Sequence, residues 1–175
     1  MDAGKESEGS PMTNHTTVER KSDRELVVTR TFNGPASLVF EAWTTPELLM
    51  RWWAPKSFGI SFLSCELDVR TGGTYRFVFG HSSSERPMEF FGRYIEVIPH
   101  ARLVWTNDED GEGGAVTTVT FEDKGGKTLV VMHDVHPSKE ALDAAIASGS
   151  TSGFSEAFEQ LDELLGTPGA SARGA

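Results

Sequence analysis

Cysteine is nearly absent from this sequence. Its 175 residues contain a single cysteine, Cys65, so no internal disulfide can form and a zinc ribbon is excluded. No apolar run approaches the roughly 20 residues that span a bilayer. No signal segment of basic and then apolar residues opens the chain. We therefore expect a soluble, cytoplasmic protein that does not insert into membranes.

Basic residues are also scarce. The 16 lysine and arginine residues are outnumbered by 26 aspartate and glutamate residues, which gives a formal net charge of −10 at pH 7. Nucleic acids and anionic lipid surfaces are bound through basic patches. The acidic balance therefore predicts that no nucleic acid is a partner of this protein.

The composition changes at both ends of the chain. Residues 1–24 contain four hydrophobic side chains, too few to offset the entropy lost on ordering, so we expect a disordered N-terminal tail. Residues 167–175 are small and polar in the same way and predict a disordered C-terminal tail. Residues 25–166 lie between them and have the length of one domain, which we expect to fold as a unit.

Strand signals dominate this domain. A run of β-branched residues over 25–32 predicts a first strand that ends before Asn33-Gly34-Pro35. Six further strands are predicted at hairpin spacing, over residues 62–69, 74–79, 88–98, 102–106, 116–122 and 128–135. An antiparallel sheet of six to seven strands follows from this spacing.

Helix signals flank the series of strands. Two short helices are predicted after the first strand, one opened by Pro35 and one between Pro46 and Pro55. Ser138 fits the N-cap of a helix over residues 139–147, and a last helical stretch carries apolar residues to Leu165. Strands in series with helices at the two ends indicate an α+β fold.

Three stretches of sequence carry a family resemblance. Residues 45–55, TPELLMRWWAP, resemble a helix that ends in Trp-Trp-x-Pro. Residues 66–76, ELDVRTGGTYR, resemble the hairpin motif D-x-R-x-G-G-x-Y/W-R, and residues 91–106 are similar to the strand pair G-x-Y-x-E-V-x-P-x-x-x-L-V-x-T. Gly153-Phe154 stands where the family usually has Gly-Trp. With these motifs the chain resembles the homologues of the C-terminal domain of activators of the Hsp90 ATPase, within the START-like and Bet v1-like SRPBCC superfamily.

The resemblance covers residues 25–165 and implies the helix-grip fold. In that fold a curved antiparallel sheet wraps around a long C-terminal helix, and two short helices follow the first strand. The resemblance also implies a cavity between the sheet and the helices. An apolar hollow of this kind is the usual form of a small-molecule site.

Aromatic residues are the candidate lining of this cavity. Large rigid side chains line a hollow at small entropic cost, but they also fill a core, so both interpretations stay open for each residue. The predicted lining is Trp43, Trp53, Phe58, Tyr75, Phe77, Phe90, Trp105, His133, Phe154 and Phe158. His133 shares strand parity with Leu129 and Val131, which predicts an imidazole that faces the interior, where it orients a polar ligand atom or is a hydrogen-bonded histidine of the core or rim.

Motifs for catalysis, metals and cofactors are lacking. The sequence has no nucleophile elbow, no Walker loop and no dinucleotide-binding glycine motif, so we predict no catalytic residue and no cofactor. His133 and His136 are three residues apart and point to opposite faces of a strand, which predicts no metal site. Cys65 has no base beside it in the sequence and is interpreted as an inert thiol.

Charged residues near the 66–76 hairpin allow two interpretations. Glu66, Asp68 and Arg70 share one face of their strand, and Arg76 lies across the hairpin. Such residues form ion pairs that fix the strand register, or they supply acid–base groups at the cavity mouth. Glu96, near Arg93 and Arg102, offers a weaker version of the same choice.

Three functions follow as hypotheses. The first is binding of a hydrophobic or amphipathic small molecule in the cavity, with a stress-related role among the expectations. The second is a cyclase, dehydratase or hydrolase acting on a small hydrophobic substrate, which requires a carboxylate or a His–Tyr pair of shifted pKa inside the cavity. The third is contact with a chaperone of the Hsp90 class. The activators resembled here carry a separate N-terminal domain where this sequence has about two dozen residues, so we do not expect direct activation. We expect a monomer or a homodimer.

Overall fold

An eight-stranded antiparallel sheet forms the frame of the protein in a computed structural model. The structure describes residues 16–81, 84–108, 114–147 and 150–166. The strands are β1 (Thr17–Arg20), β2 (Glu25–Asn33), β3 (Ile60–Leu67), β4 (Thr74–His81), β5 (Ser84–Ile98), β6 (Arg102–Thr106), β7 (Val116–Asp123) and β8 (Lys127–Val135). The helices are α1 (Ala36–Thr44), α2 (Pro46–Leu49), α3 (Lys139–Ala147) and α4 (Ser150–Leu165), and Lys56–Phe58 forms a 3₁₀ turn. In these described ranges, no helix is both long and apolar enough to cross a membrane.

The strands follow the order β1-β2-β8-β7-β6-β5-β4-β3 across the sheet. From β3 to β8 each strand pairs with its neighbour in the sequence, as the hairpin spacing predicts. β2 and β8 come from opposite ends of the domain and pair along their whole length, with Val28 opposite Met132. The predicted α+β helix-grip fold is confirmed, and the curved sheet has one strand more than the six to seven expected.

β1 is the strand that the sequence analysis does not predict. The composition predicts disorder for residues 16–24, but Val18 pairs with Val28 at the edge of the sheet. Arg20 Nη1 also lies 2.7 Å from Asp143 Oδ1 on α3. All residues of β1 are exposed, so no alternation of apolar and polar residues marks the strand. Residues 1–15 and 167–175, the rest of the predicted tails, lie outside the described residues.

α4 packs on the inner face of β2. Along β2 buried residues alternate with half-buried ones, so that one face points to the helices. On that face Phe32 meets Phe158 of α4 edge-on, with 5.4 Å between the ring centroids, and both rings are almost fully buried. Each large apolar side chain buried in this way contributes about 1.5–3 kcal/mol. The apolar stripe predicted for the last helix is therefore its packing face.

A buried ion pair adds a second link between β2 and α4. Arg30 is 5% exposed, and its Nη2 donates to Asp162 Oδ2 at 2.9 Å. Its Nη1 donates to Thr16 Oγ1 at 2.9 Å, and the guanidinium lies 5.6 Å from the centroid of the Phe32 ring. Removing one partner of such a pair leaves a buried charge without compensation. The pair therefore fixes how α4 lies on the sheet.

The other half of the sheet bends away from α4. The register shifts within the β3–β4, β4–β5 and β5–β6 pairs, and bulges of this type increase bend and twist. At Gly92 β5 passes so close to β6 that a Cβ atom would lie 2.0 Å from the carbonyl oxygen of Thr106, which leaves glycine as the residue that fits. The bent strands β4 and β5, together with α4, contribute residues to the wall of the cavity described below.

Candidate functional site

A cavity of about 1000 Å³ lies between the bent sheet, α3, α4 and the segment that follows α2. Its volume is at the upper end of the range of small-molecule sites, about 300–1,000 Å³. The aromatic part of its wall consists of Trp52, Trp53, Phe58, Tyr75, Phe77, Phe79, Phe90, Trp105, Phe154 and Phe158. The cavity is therefore large enough for a drug-sized molecule, and ten rigid aromatic side chains contribute to its wall.

Most of the residues predicted from the sequence meet at this cavity. Eight of the ten line it, namely Trp53, Phe58, Tyr75, Phe77, Phe90, Trp105, Phe154 and Phe158. Alternation along β4 turns Tyr75 and Phe77 inward, and the Phe77 ring lies 5.7 Å from that of Trp53. These positions are observed, whereas contact of the same residues with a ligand stays a prediction.

Trp43 belongs to the core and not to the cavity wall. It is 3% exposed, and its ring centroid lies 4.8 Å from that of Trp52 and 5.9 Å from that of Phe121. α1 carries it onto β7, where it supports Trp52 and Trp53 (5.7 Å between ring centroids), both of which line the cavity. The spacing of apolar residues after Pro35 predicts that Trp43 faces inward, but it cannot tell a core position from a position in the cavity wall.

His133 points away from the cavity, which corrects the prediction of an interior imidazole. The inner face of β8 carries Val130 and Met132, both buried, and His133 lies on the opposite face. Its Nε2 is 3.0 Å from Glu25 Oε1. This hydrogen bond lowers the pKa of the Glu25 carboxyl below its ordinary value. Both faces of β8 carry apolar residues, so the presence of Leu or Val could not identify the inner one.

Gln160 of α4 holds the segment after α2 in place. Its Nε2 donates to the carbonyl oxygens of Trp52 at 2.9 Å and Ala54 at 3.0 Å. Its Oε1 accepts from the backbone N–H of Lys56 at 2.9 Å. The side chain is 9% exposed, so its amide is satisfied by backbone groups of this segment. The backbone around Trp53 is thereby tied to the helix that closes the cavity.

A second set of hydrogen bonds positions Phe58, an exposed residue of the cavity wall. Glu156 of α4 accepts hydrogen bonds from the backbone N–H of Ser57, at 2.9 Å, and from its hydroxyl. Both bonds lower the pKa of the Glu156 carboxyl. At Gly153 a Cβ atom would lie 3.0 Å from the Phe58 ring and 3.2 Å from Pro55. The glycine of the Gly153-Phe154 pair thus leaves room for the Phe58 ring.

One end of the cavity is polar, and none of its polar residues was among those predicted from the sequence. Thr117 lies opposite Asp134 in the β7–β8 pair, and its Oγ1 donates to Asp134 Oδ1 at 2.6 Å. Asn107 Nδ2 donates to Thr117 Oγ1 at 3.1 Å. Its Oδ1 lies 3.3 Å from the hydroxyl of Tyr75, which itself donates to the carbonyl oxygen of Thr106 at 2.7 Å. Asn107, Thr117 and Asp134, which we call the polar relay, all line the cavity.

Asp134 is the acidic group of the polar relay. Among the described residues that line the cavity it is the only acid, and none is lysine or arginine. Burial raises the pKa of its carboxyl, and the hydrogen bond from Thr117 and the nearby His136 and His133 oppose this shift. The sequence did offer one indication that Asp134 faces inward. It lies two residues after the buried Met132, and residues two apart in a strand share one face.

Other candidate groups do not build a reactive site. Over the residues that the structure describes, no group of three His, Cys, Asp or Glu side chains is placed to hold a metal ion. Burial raises the pKa of Cys65 to about 12, with smaller contributions from the charges of Glu47 and Glu66. At neutral pH Cys65 is therefore a thiol, which is the weaker nucleophile.

The charged residues of the β3–β4 hairpin form ion pairs. Glu66 lies opposite Arg76 in the register, but Arg76 pairs with Glu89 on β5. Arg70 Nε lies 3.0 Å from Asp68 Oδ1, in an exposed pair on one side of the hairpin. A further pair, Arg102 with Glu96, joins β6 to β5 at 3.3 Å. None of the residues in these pairs is among those that line the cavity, so they support the structural interpretation.

Comparisons with known proteins agree with this architecture. Residues 33–166 match the family described as Activator of Hsp90 ATPase homolog 1-like protein. A comparison with curated proteins finds no match.

Solved structures show the same fold. A protein from Rhodobacter sphaeroides is 25% identical, with a TM-score of 0.78 over 86% of this chain and 97% of that one. A protein from Chromobacterium violaceum is 26% identical, with a TM-score of 0.69 over 80% of this chain and 96% of that one. An AHSA1-like protein from Aeromonas hydrophila is 16% identical and shares the fold, with a TM-score of 0.64 over 78% of this chain and 92% of that one.

The family match spans most of the domain and includes all three motifs on which the resemblance was based. It therefore confirms the prediction made from those motifs. The chain belongs to the family of Activator of Hsp90 ATPase homolog 1-like proteins, within the START-like and Bet v1-like SRPBCC superfamily.

Proposed function

We propose that this protein binds a hydrophobic or amphipathic small molecule in the cavity between the sheet and α4. The observation that carries the proposal is a hollow of about 1000 Å³ lined by aromatic side chains. Burial of a ligand's apolar surface there contributes about 25 cal/mol per Å². Rings that are already held by their neighbours lose little further freedom when a ligand binds. A core filled by side chains would have left no such space.

Exposed apolar residues support an entrance for the ligand between the 3₁₀ turn and β5. Phe58, Met88 and Phe90 are 36–37% exposed and all line the cavity. They come from the 3₁₀ turn and from β5, so the mouth lies between these two elements. Surface apolar groups that border a hollow often belong to a binding site. A bound ligand covers them and adds their burial to the binding free energy.

The proposal is tested by ligand screening with a variant that fills the cavity. Thermal shift and native mass spectrometry are run against lipids, polyketides and aromatic metabolites. Ala145 lines the cavity on α3, whereas Ala147 is exposed on the same helix and lies outside the wall. Ala145→Trp is expected to abolish the thermal shift and the bound mass, and Ala147→Trp to retain both. A library without any binder, or equal binding by both variants, contradicts the proposal.

Asp134 favours a second candidate function, acid–base catalysis on a small hydrophobic substrate. Its carboxyl lines the cavity, and burial raises the pKa of that carboxyl. A cavity carboxyl of shifted pKa is what a cyclase, dehydratase or hydrolase requires here. For an enzyme, Asp134→Asn is expected to abolish turnover while the substrate still binds. The test is to incubate each compound that binds in the screen with the protein and to look for a converted product by mass spectrometry. Hits that are recovered unchanged by the wild-type protein contradict it.

Predictions on partners and assembly have their own tests. Contact with a chaperone of the Hsp90 class stays a prediction, and the rate of ATP hydrolysis by the chaperone with and without this protein tests it. The stress-related role and the cytoplasmic location also stay predictions. Light scattering during size-exclusion chromatography distinguishes a monomer from a homodimer.

A further inference from the structure

We propose that the ligand carries a protonated amine on an apolar body, and that Asp134 binds the ammonium group at the polar end of the cavity. This inference rests on the proposed ligand-binding function and adds the chemical class of the ligand. It stands on the geometry of the polar relay, on the charges of the cavity wall and on the aromatic residues beside the relay.

The polar relay is arranged to make Asp134 an acceptor. The Asn107 amide donates to the Thr117 hydroxyl oxygen, so the Thr117 proton is directed to Asp134 Oδ1. Donors therefore point along the relay toward the carboxylate. Among the described residues Asp134 Oδ2 has no hydrogen-bond partner, and the side chain lines the cavity. This oxygen is left to accept from a ligand.

The charges of the wall favour a cationic ligand. The described lining residues contain one carboxylate and neither lysine nor arginine. His136, which also lines the cavity, and His133 on the opposite face of β8 are the titratable groups acting on Asp134. An ion pair is strengthened where water is excluded, and a buried charge without a partner is costly. An ammonium group supplies the missing partner, whereas a ligand carboxylate would be repelled.

Aromatic residues border the same end of the cavity. Trp105 lies opposite Thr117 in the β6–β7 pair. The centroid of the Tyr75 ring is 6.3 Å from that of Trp105, and the Tyr75 hydroxyl is 3.3 Å from Asn107 Oδ1. The faces of Trp and Tyr rings attract cations. A ligand amine at Asp134 is therefore next to aromatic rings that also stabilise its charge.

The experiment compares three probes that share a naphthalene body. 2-Naphthylmethylamine, 2-naphthylmethanol and 2-naphthoic acid are titrated into the full chain by calorimetry at pH 7. The wild-type protein is expected to bind the amine about tenfold more tightly than the alcohol, the size of a hydrogen bond to a charged group. The acid is expected to bind most weakly.

Variants assign this preference to Asp134. Asp134→Asn is expected to remove the preference for the amine and to leave the affinity for the alcohol unchanged. Glu163→Gln, on the exposed side of α4, makes the same change in net charge and is expected to retain the preference. Thr117→Val is expected to reduce the preference and Thr117→Ser to restore it, because serine keeps the hydroxyl that positions Asp134.

The outcomes separate the inference from the proposed function. Equal affinity for amine and alcohol, tighter binding of the acid, or a preference that persists in Asp134→Asn overturns the amine assignment while ligand binding in the cavity stands. Failure of all three probes to bind overturns the amine assignment. The broader screen with Ala145→Trp then decides whether the proposed function fails with it.

Discussion

Two carboxyl groups on the inner side of the same sheet have opposite surroundings. Asp162 on α4 is held by Arg30 at 2.9 Å, and their side chains are 20% and 5% exposed. Asp134 on β8 accepts a hydrogen bond from Thr117 and borders a cavity whose described lining contains no lysine or arginine. The protein itself supplies a cation for Asp162, whereas no lysine or arginine of the described cavity lining does so for Asp134. We call the contact of α4 with β2 the closed half and the region around the cavity the open half. The closed half thus maintains the fold, and the open half carries the candidate site.

Removing a large ring from each half should give the largest difference. Phe32→Ala removes a fully buried ring of β2 that does not line the cavity, and we expect a loss of about 3–5 kcal/mol in the free energy of unfolding. Phe90→Ala removes a ring that is 36% exposed at the cavity mouth, and we expect a loss of about 1 kcal/mol or less. Urea denaturation measures both values. Equal losses would contradict the division into a closed and an open half.

The closed half can also be broken through its ion pair. Arg30→Met removes the guanidinium that binds Asp162 and Thr16, and we expect a loss of about 3 kcal/mol, because a largely buried ion pair is broken. The double variant Arg30→Met with Asp162→Asn is expected to recover part of this loss. Urea denaturation of the wild type, both single variants and the double variant gives the coupling. A double variant that is as unstable as the sum of the two single variants rules out the proposed compensation.

The open half should become slightly more stable when its charge is removed. The pKa of Asp134 is raised above its ordinary value of 3.8 in the folded state, so the folded protein holds this proton more tightly than the unfolded chain. Its contribution to stability is therefore greatest at low pH and is lost as the pH rises through the folded-state pKa. Asp134→Asn is expected to remove this decline, which is measured by urea denaturation at a series of pH values above the ordinary pKa of the carboxyl. Glu163→Gln is the control, and an unchanged pH profile in Asp134→Asn refutes the assignment.

The parts of the fold with local signals were predictable from the sequence. β6 has the predicted bounds, Arg102–Thr106, because a proline-containing turn precedes it and a polar loop follows. α3 begins after Ser138 as predicted, and the Ser138 hydroxyl accepts from the N–H of Ala141 at 3.0 Å. Capping and turn chemistry are encoded within a few residues, so they can be read before any tertiary contact is known.

Features that depend on register or on edge pairing were not predictable in the same way. Asn107, Thr117 and Asp134 belong to different parts of the chain, and the pairing of three strands brings them together. The assignment of His133 to the interior was wrong because it depended on choosing between two apolar faces. Edge strand β1 gave no signal because backbone bonds and the Arg20–Asp143 pair hold it, without an apolar face of its own.

The contacts of Gln160 with backbone groups have a consequence for how specificity can diversify. Its amide binds the carbonyl oxygens of Trp52 and Ala54, which any residue provides, and the N–H of Lys56, which any residue except proline provides. The Phe58 side chain takes part in none of these bonds, so it can be exchanged while the contacts of Gln160 with this segment persist. Exchange of Phe58 would therefore change the wall of the cavity and leave the attachment of this segment to α4 in place.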